Sequence, residues 1–433
     1  MKVVVVGGGL AGLFTASELL ASGVDVTLLE ASPHPGGVAR TVARNGFSVE
    51  PGAGSFTLPH QSLGAILERA RVGSKPALGA RSRYVFTGGR LVELPPAPRA
   101  LLTPILPLSA KLRALGEPLV QARSGGDETL ASFCRRRFGA RAGEMLAWLM
   151  ASGVYAGDPR RLAVKTAFPL LDVLERESGS VIKGALQRRR TRARSGEQPQ
   201  VHAPDGGMAS MARAIANTLG ERFRPSFAVN SISREPGGWV VSGPEQLRAD
   251  RVVLAVDPDR AAAMVDDELA GHLTGMPASP VVVAGLGGHG VFPGPPGFGV
   301  LVGPGSGLVT LGVLFESEYA PERSPEGSWL LKVIAGGAGT PEVAEWSDER
   351  LESVLIAETG SILGSDFTMS FLELVRHRRG IPQYEMGHAR RLRDLGRLLE
   401  ERPGLHLIGW GYRGVGVATL ATEATTLTRE ITG

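Results

Sequence analysis

The residues equipped for chemistry begin at the amino end. In KVVVVGGGLAGLFTASELLASGVDVTLLEAS, Gly7, Gly9 and Gly12 keep the GxGxxG spacing, and Glu30 closes the apolar run that follows. That set suits a dinucleotide. Gly7 makes a tight turn, Gly9 lets the backbone approach a pyrophosphate, and Gly12 lets helix and strand pack closely. The helix so opened offers free N–H groups, with Leu10 and Ala11 in its first turn, and a partial positive charge. Glu30 is placed to accept hydrogen bonds from both ribose hydroxyls, and its charge disfavours a 2′-phosphate. To hold these groups, Val3–Val6 must form a buried parallel strand. A helix with Leu13, Ala16, Leu19 and Leu20 on its apolar stripe must follow, and then a strand over Val24–Leu29.

Two other stretches repeat this kind of turn. Gly36-Gly37, with Arg40 just beyond and Glu50-Pro51-Gly52 further on, follows the Glu30 strand directly. Near the other end, RPGLHLIGWGYRGVGVATLATEATTL reads as a strand over Leu405–Ile408 and a turn at Gly409. Gly414, Val415, Gly416 and Val417 then lead into a helix beginning near Ala418. Its N-terminus is placed to face phosphates or a polar ring. Ala249–Pro258 reads as one more buried parallel strand, after a strand and a hairpin around Gly237-Gly238.

The stretch SRYVFTGGRLVELP, Ser82–Pro95, reads as a β-hairpin turning at Gly88-Gly89. Arg83 heads its first strand. The hairpin alone leaves two readings open, a solvated edge charge or a cation aimed at an anionic ligand.

The chain has 433 residues, enough for two or three domains, and an ordinary globular mix of 43% hydrophobic and 21% charged residues. Its one cysteine, Cys134, rules out an intramolecular disulfide and suits a reducing compartment; within FCRRRF it reads as inert core. MKVVVVGGG reads as a strand rather than a signal peptide. No apolar run of helical character reaches the roughly 18 residues of a spanning helix, and Met276–Phe315 should be sheet and loop. Net charge is +4, with a local excess in RRRTRAR, Arg188–Arg194. That run reads as a solvated loop, with anionic lipid as the next partner; no nucleic-acid motif accompanies it. No Ser/His/Asp set, metal cluster or Cys–His pair stands out, so no metal and no catalytic side chain is assigned. His388 reads as structural. Leu101, Leu102, Ile105, Leu106 and Leu108 form a dense apolar set broken by Pro104 and Pro107 and flanked by Arg99, Lys111 and Arg113. It suits an interfacial anchor, a cleft wall or buried core. Asp127 is expected to cap the next helix, and Met145, Leu146, Leu149 and Met150 to continue an apolar face.

The Gly36-Gly37 and Arg40 pattern resembles the extended FAD fingerprint of the amine oxidase-like flavoprotein superfamily. The resemblance implies FAD, with Gly36, Gly37 and Arg40 along the pyrophosphate and ribityl chain and Gly52 near the isoalloxazine. It places a backbone contact to adenine at Val229, and closes the site with Gly409 and Gly414 to Val417. ASGVYAGDPRRLAVKTAFPLL, GFGVLVGPGSGLVTLGVLFES, GIPQYEMGHARRL and LHLIGWGYRGVGV occur in the order and wording of the oxygen-dependent protoporphyrinogen oxidase family. This likeness covers nearly the whole chain. It implies non-covalent FAD, a porphyrinogen substrate, molecular oxygen as acceptor and six-electron oxidation of protoporphyrinogen IX to protoporphyrin IX. It further implies a peripheral, monotopic contact with the cytoplasmic face of the membrane, with a homodimer and the next haem-pathway enzyme as further partners.

Carried over residue by residue, Arg83 holds a substrate propionate, backbone at Gly153 and Gly157 lines the cleft, and Leu301 and Leu314 sandwich pyrrole rings. Ile334 stands where many members stack a Phe, His377 where relatives have a Trp, and Ala53-Gly54 replaces a usual Pro-Asn. The alternatives are a coproporphyrinogen III oxidase, another dehydrogenase of the superfamily such as a carotenoid desaturase, and a non-catalytic lipid-binding relative. The expected fold is α/β: a discontinuous Rossmann-type FAD domain (1–80, 205–260, 395–433), an α+β substrate domain (81–95, 261–394) and an inserted helical, membrane-associated domain (96–204).

Overall fold

The computed structural model describes residues 1–77, 82–95, 103–123, 125–195 and 199–433. Strands from distant parts of the chain assemble the first sheet, in the order Phe223–Arg224, Asp25–Leu29, Lys2–Val6, Arg251–Leu254, Leu405–Leu407, all parallel. Val3, Val4 and Val5 are fully buried because both faces of this central strand are covered. On one face, helices Leu10–Ala21, Gly207–Leu219 and Val417–Thr432 pack over Val3 and Val5. On the other, an antiparallel meander of Ser231–Glu235, Gly238–Ser242 and Gln246–Ala249 meets Val4 and Val6. The expected β-α-β unit and its stripe of Leu13, Ala16 and Leu19 are therefore present, with small shifts. The second strand begins at Asp25, the last ends at Leu407, and the closing helix starts at Val417.

The second layer is a seven-stranded mixed sheet. Its order is Phe371–Pro382, Ala278–His289, Ser328–Gly336, Thr310–Leu314, Gly299–Val302, Arg83–Thr87, Arg90–Glu93. The Ser82–Pro95 hairpin forms as expected, with Gly88 and Gly89 at φ +58° and +70°, the positive values of a tight hairpin turn. Alternation gives the sheet two faces. Phe86, Val300, Val313, Val333 and Ala284 pack under helix Asp348–Leu363. Arg83, Val85, Leu301, Leu314, Lys332, Ile334, Val281 and Val283 share the opposite face, paired across the strands.

Between Thr103 and Ser195 the chain is helical, with Leu108–Leu115, Leu130–Phe138, Ala140–Tyr155, Pro169–Ser178 and Val181–Ser195. Cys134 is buried there with Leu130 and Phe133, and burial pushes its thiol up to about 12. Several local expectations are corrected. Thr129, not Asp127, caps the helix: its side chain accepts from Ser132 N–H, whereas Asp127 accepts from Glu128. The Arg188–Arg194 run lies on helix Val181–Ser195 rather than in a loop. In Ala140–Tyr155 the deepest face is Ala142, Gly143, Ala147 and Ala151, small residues that let the preceding helix come close; Met145, Leu146, Leu149 and Met150 are only half-buried. Arg99, Leu101 and Leu102 lie outside the described residues. Ile105 and Leu106 are half-buried and Leu108 is exposed. Among the described residues no helix is long and apolar enough to cross a membrane. The chain then returns through Gln200–Pro204, paired between Phe56–Leu58 and Ser74–Pro76.

Two distant stretches, GVYAGDP and GIPQYEMGH, interlock where the helices meet the second sheet. Gln383 donates to Tyr155 O at 2.7 Å, Ala163 N–H donates to Tyr384 O at 2.8 Å, and Arg161 pairs with Glu385. His388 is buried against Tyr384, rings stacked 4.5 Å apart, with a ring nitrogen 2.9 Å from Tyr412 O. That is the structural role expected of it.

Candidate active site

Two cavities meet between the layers. The larger, about 460 Å³, is lined by Gly7, Gly9, Leu10, Ala11, Glu30, Gly36, Gly37, Ala255, Asp257, Gly409 and Trp410, among others. The geometry explains its glycines. A Cβ on Gly9, at the helix N-terminus, would meet nothing within 4 Å. It would instead stand in the cavity, where a phosphate needs the space. Gly12 sits so close beneath Gly7 O that no side chain fits. Gly36 N–H donates to Gly8 O at 2.8 Å, joining the two glycine turns, and both Gly36 and Gly37 have positive φ. Glu30 accepts from Gly8 N–H (2.6 Å) and Ser32 N–H (2.8 Å), which fixes its carboxylate at the cavity edge. Each oxygen keeps a second lone pair for a hydroxyl. These residues fit an adenosine diphosphate moiety.

Other residues expected at the cofactor stand outside the lining of this cavity. Arg40 is exposed and lines neither cavity. Val229 is buried in the core between sheet and meander. Gly414 and Gly416 pack on Thr419, and Val417 points into the core with Leu420, because the closing helix docks by that face. Of the expected closing residues Gly409 lines this cavity, joined by Trp410 and Gly411. Sequence reading passed over Trp410, although a Trp between two turn glycines is a visible signal.

The smaller cavity, about 280 Å³, shares Val38, Gly380, Pro382 and Trp410 with the first. Gly52, Gly153, Val281, Val283, Leu314, Ile334, Val415, Lys332 and His377 also line it. Of the residues expected at a substrate, Gly153, Leu314 and Ile334 line this cavity. Gly157 does not: its Cβ position lies 2.5 Å from Gln383 Oε1, so it serves the interlock. Leu301 lies behind Gly153, whose Cβ would stand 3.2 Å from its Cδ1. Arg83 lies outside this lining but on the same sheet face, in one row with Gly299, Leu314 and Lys332. It is exposed, its guanidinium lies 5.3 Å over the Phe298 ring, and no carboxylate among the described residues pairs with it.

The cavity floor is fixed by buried charges that the sequence reading missed. Lys332 donates to Glu50 O (3.0 Å) and Gly52 O (3.2 Å) and pairs with Glu316 at 3.3 Å. Glu316 also pairs with Arg323, and Arg323 donates to Gly54 O at 2.6 Å. Burial opposes the charge on Glu316, but Arg323 and Lys332 outweigh it and hold the carboxyl below its ordinary range. Burial pushes Glu50 the other way, upward, against the pull of Arg323. The available signal was a lysine inside the apolar strand SWLLKVIAG. His377 Nε2 lies 3.1 Å from Pro51 O.

Glycine turns around a nucleotide-sized cavity, opening onto an apolar cleft, are one half of the assignment. The family model for flavin-containing amine oxidoreductases matches residues 10–418. The chain belongs to that family. It is a flavin oxidoreductase. Its relatives include coproporphyrinogen III oxidase of Bacillus subtilis, 26% identical, covering 96% of this chain and 94% of that protein. Chloroplastic protoporphyrinogen oxidase of Oryza sativa is 30% identical over 81% of this chain and 72% of its own length. The tobacco chloroplastic enzyme of the same name, from Nicotiana tabacum, is 28% identical over 100% and 86%. Among solved structures, a provisional protoporphyrinogen oxidase from Exiguobacterium superposes with a TM-score of 0.82 at 23% identity, covering 99% of this chain and 98% of that one. A reduced UDP-galactopyranose mutase superposes at 0.77 with 18% identity, over 100% and 95%. These two establish the shared fold.

Proposed function

We propose that this flavoenzyme oxidises protoporphyrinogen IX to protoporphyrin IX with non-covalent FAD, passing the electrons to molecular oxygen. The observation that carries the reading is the wall of Val38, Gly380, Pro382 and Trp410 common to the dinucleotide cavity and the apolar cleft. A ligand in the cleft is thereby set against the end of the cofactor site. FAD supplies the two-electron acceptor when bound. The chain's own residues bind and orient. The Gly9 helix end and the Gly36-Gly37 turn receive the pyrophosphate, and Glu30 the ribose. Val281, Val283, Leu314 and Ile334 present an aliphatic wall to a broad apolar ring and exclude water. Arg83, on the same face, meets one carboxylate arm. Cys134, the chain's one thiol, is sealed in the helical core, in keeping with a cofactor that no thioether holds.

The names of the plant relatives support the substrate. That of the Bacillus subtilis relative supports a second reading, coproporphyrinogen III. The deciding experiment offers both porphyrinogens to the purified protein and follows porphyrin fluorescence with oxygen uptake. Turnover of protoporphyrinogen is expected. Faster turnover of coproporphyrinogen selects the second reading, and turnover of neither rejects both.

We further propose a peripheral contact with the cytoplasmic face of the membrane through Leu108, Leu112, Leu115 and Leu119, which are 50% to 91% exposed. Leu108, Leu112 and Leu115 follow a helical repeat, Leu119 lies on the short turn beyond, and the exposed Arg188, Arg190 and Arg194 of helix Val181–Ser195 supply cations for anionic head groups. A homodimer, and hand-over of product to the next haem-pathway enzyme, complete the proposed associations.

A further inference from the structure

His377 stands in register with Val281 on the cleft face of the seven-stranded sheet, and it lines the smaller cavity. Its Nε2 faces Pro51 O at 3.1 Å. A carbonyl only accepts, so Nε2 carries the hydrogen and the neutral ring leaves Nδ1 with a bare lone pair. Nδ1 has no partner among the described residues and is not sealed in protein, and the ring that carries it lines the cavity. The other basic side chain of the lining, Lys332, is engaged with Glu50 O, Gly52 O and Glu316. No carboxylate is among the described lining residues.

We infer that His377 is the general base of this site, taking the pyrrole N–H proton as the ring is dehydrogenated. The inference rests on the porphyrinogen reading above. Over the three two-electron oxidations four bridging C–H bonds and two pyrrole N–H bonds break: two rounds each break one C–H bond at a bridging carbon and one N–H bond at a neighbouring pyrrole, and the third draws both its hydrogens, one as hydride and one as proton, from bridging carbons. In the two rounds that break an N–H bond the hydrogens part as follows. The carbon-bound hydrogen leaves with its electron pair as hydride to the flavin. The N–H electron pair stays in the ring to build the new double bond, and the proton passes to Nδ1, giving an imidazolium still anchored at Pro51 O. Water takes the proton before the next round.

The electrostatics suit this role. Burial first, then the charges of Arg40 and Lys332, hold the imidazole below its ordinary range against the Pro51 carbonyl, so the ring is neutral and able to accept. Val281 and Val283 from the neighbouring strand, and Gly153 and Val154 from the helix, bring no charge. On its own strand, Arg376 pairs with Asp348, Arg378 with Glu345, and Arg379 with Asp257 and Asp259.

The test mixes holo-protein anaerobically with protoporphyrinogen and follows the bleaching of flavin absorbance across pH, for wild type, His377→Gln and His377→Ala. Wild type should speed up with pH through one ionisation below the ordinary histidine range. His377→Gln should lose that ionisation and slow by about 100-fold, with flavin content and affinity for oxidised porphyrin unchanged. Added imidazole should restore part of the rate to His377→Ala. An NMR titration of the histidine rings in substrate-free holo-protein should find the same ionisation without turnover. A glutamine variant with wild-type rate and pH profile overturns the inference. So does loss of flavin or porphyrin affinity in both variants with no rescue by imidazole. A wild type bleached by no porphyrinogen sinks the underlying substrate reading instead, which keeps the two failures apart.

Discussion

A Cβ at Gly9 is welcome to the protein and unwelcome only to what the protein binds. Its backbone has φ −69°, which any residue adopts, and the Cβ position is open. Gly9→Val is therefore expected to leave the flavin-free protein folded, at a cost of about 1 kcal/mol because valine is a poorer helix N-cap than glycine. Flavin content after purification should fall to near zero. Retention of full flavin by a folded variant would contradict the pyrophosphate assignment. Arg83 gives the parallel case at the proposed substrate end. A charge-assisted hydrogen bond is worth roughly 1.5–3 kcal/mol, so Arg83→Ala should raise KM about ten- to a hundredfold. Arg83→Lys should recover part, lacking the planar fork. Arg90, at the exposed end of the hairpin across Gly88-Gly89, is the control and should be silent. Steady-state porphyrin fluorescence decides it; an unchanged KM in Arg83→Ala leaves only an edge charge. The two residues differ in legibility. Gly9 could be read from spacing, because its reason is local. Arg83 could not, because its face is set by pairing with Gly299, far along the chain.

At the scale of elements, strands were read more surely than their partners. The Ser82–Pro95 hairpin and the first β-α-β unit follow from turn chemistry and period. The Thr129 cap was missed because Asp127, a better capping type on average, lies two residues earlier, and only the bridge of Thr129 to Ala163 fixes which one starts the helix. The Arg188–Arg194 run suggests a solvated loop by its like charges, while Leu174, in one cluster with Val181, and Glu117, which accepts from Val181 and Ile182 N–H, anchor the start of that helix from outside it. Gly157 was assigned to the cleft although its reason is Gln383, more than half the chain away. The exposed leucines of helix Leu108–Leu115 and of the turn Glu117–Leu119 make a prediction of their own. Leu112 and Leu119 are 60% and 91% exposed, so Glu at both positions should not disturb the core. Leu112→Glu/Leu119→Glu should float less with anionic liposomes than wild type, at equal flavin content and equal melting temperature. Unchanged flotation moves the contact elsewhere.

The whole molecule carries two carboxyls, half-buried Glu423 and fully buried Glu316, whose ionisation couples to stability in opposite directions. Burial pushes Glu423, on the closing helix, up to about 8 from an ordinary 4.5, against the pull of Arg413. The folded chain then holds a proton that the unfolded chain has released, so stability declines as pH rises from the unfolded value toward about 8. Glu316 works oppositely. Its lowered folded value contributes stability above the unfolded value, lost as pH falls through the folded one. Melting temperatures of Glu423→Gln and wild type should therefore diverge with rising pH, the variant becoming the more stable by about pH 8, and converge in acid. Parallel curves would place Glu423 in contact with solvent. The order of the first sheet has a consequence for how the enzyme is made. Lys2–Val6 needs Arg251–Leu254, and that strand needs Leu405–Leu407, while Gly409 to Gly411 wall the cofactor cavity. A ribosome that has released only the first half of this chain has released half of a sheet, with a long loop still to close. Flavin loading is thus a late, near post-translational event, and a chain cut short before Leu405 should leave the ribosome colourless, in need of chaperones, and destined for proteolysis.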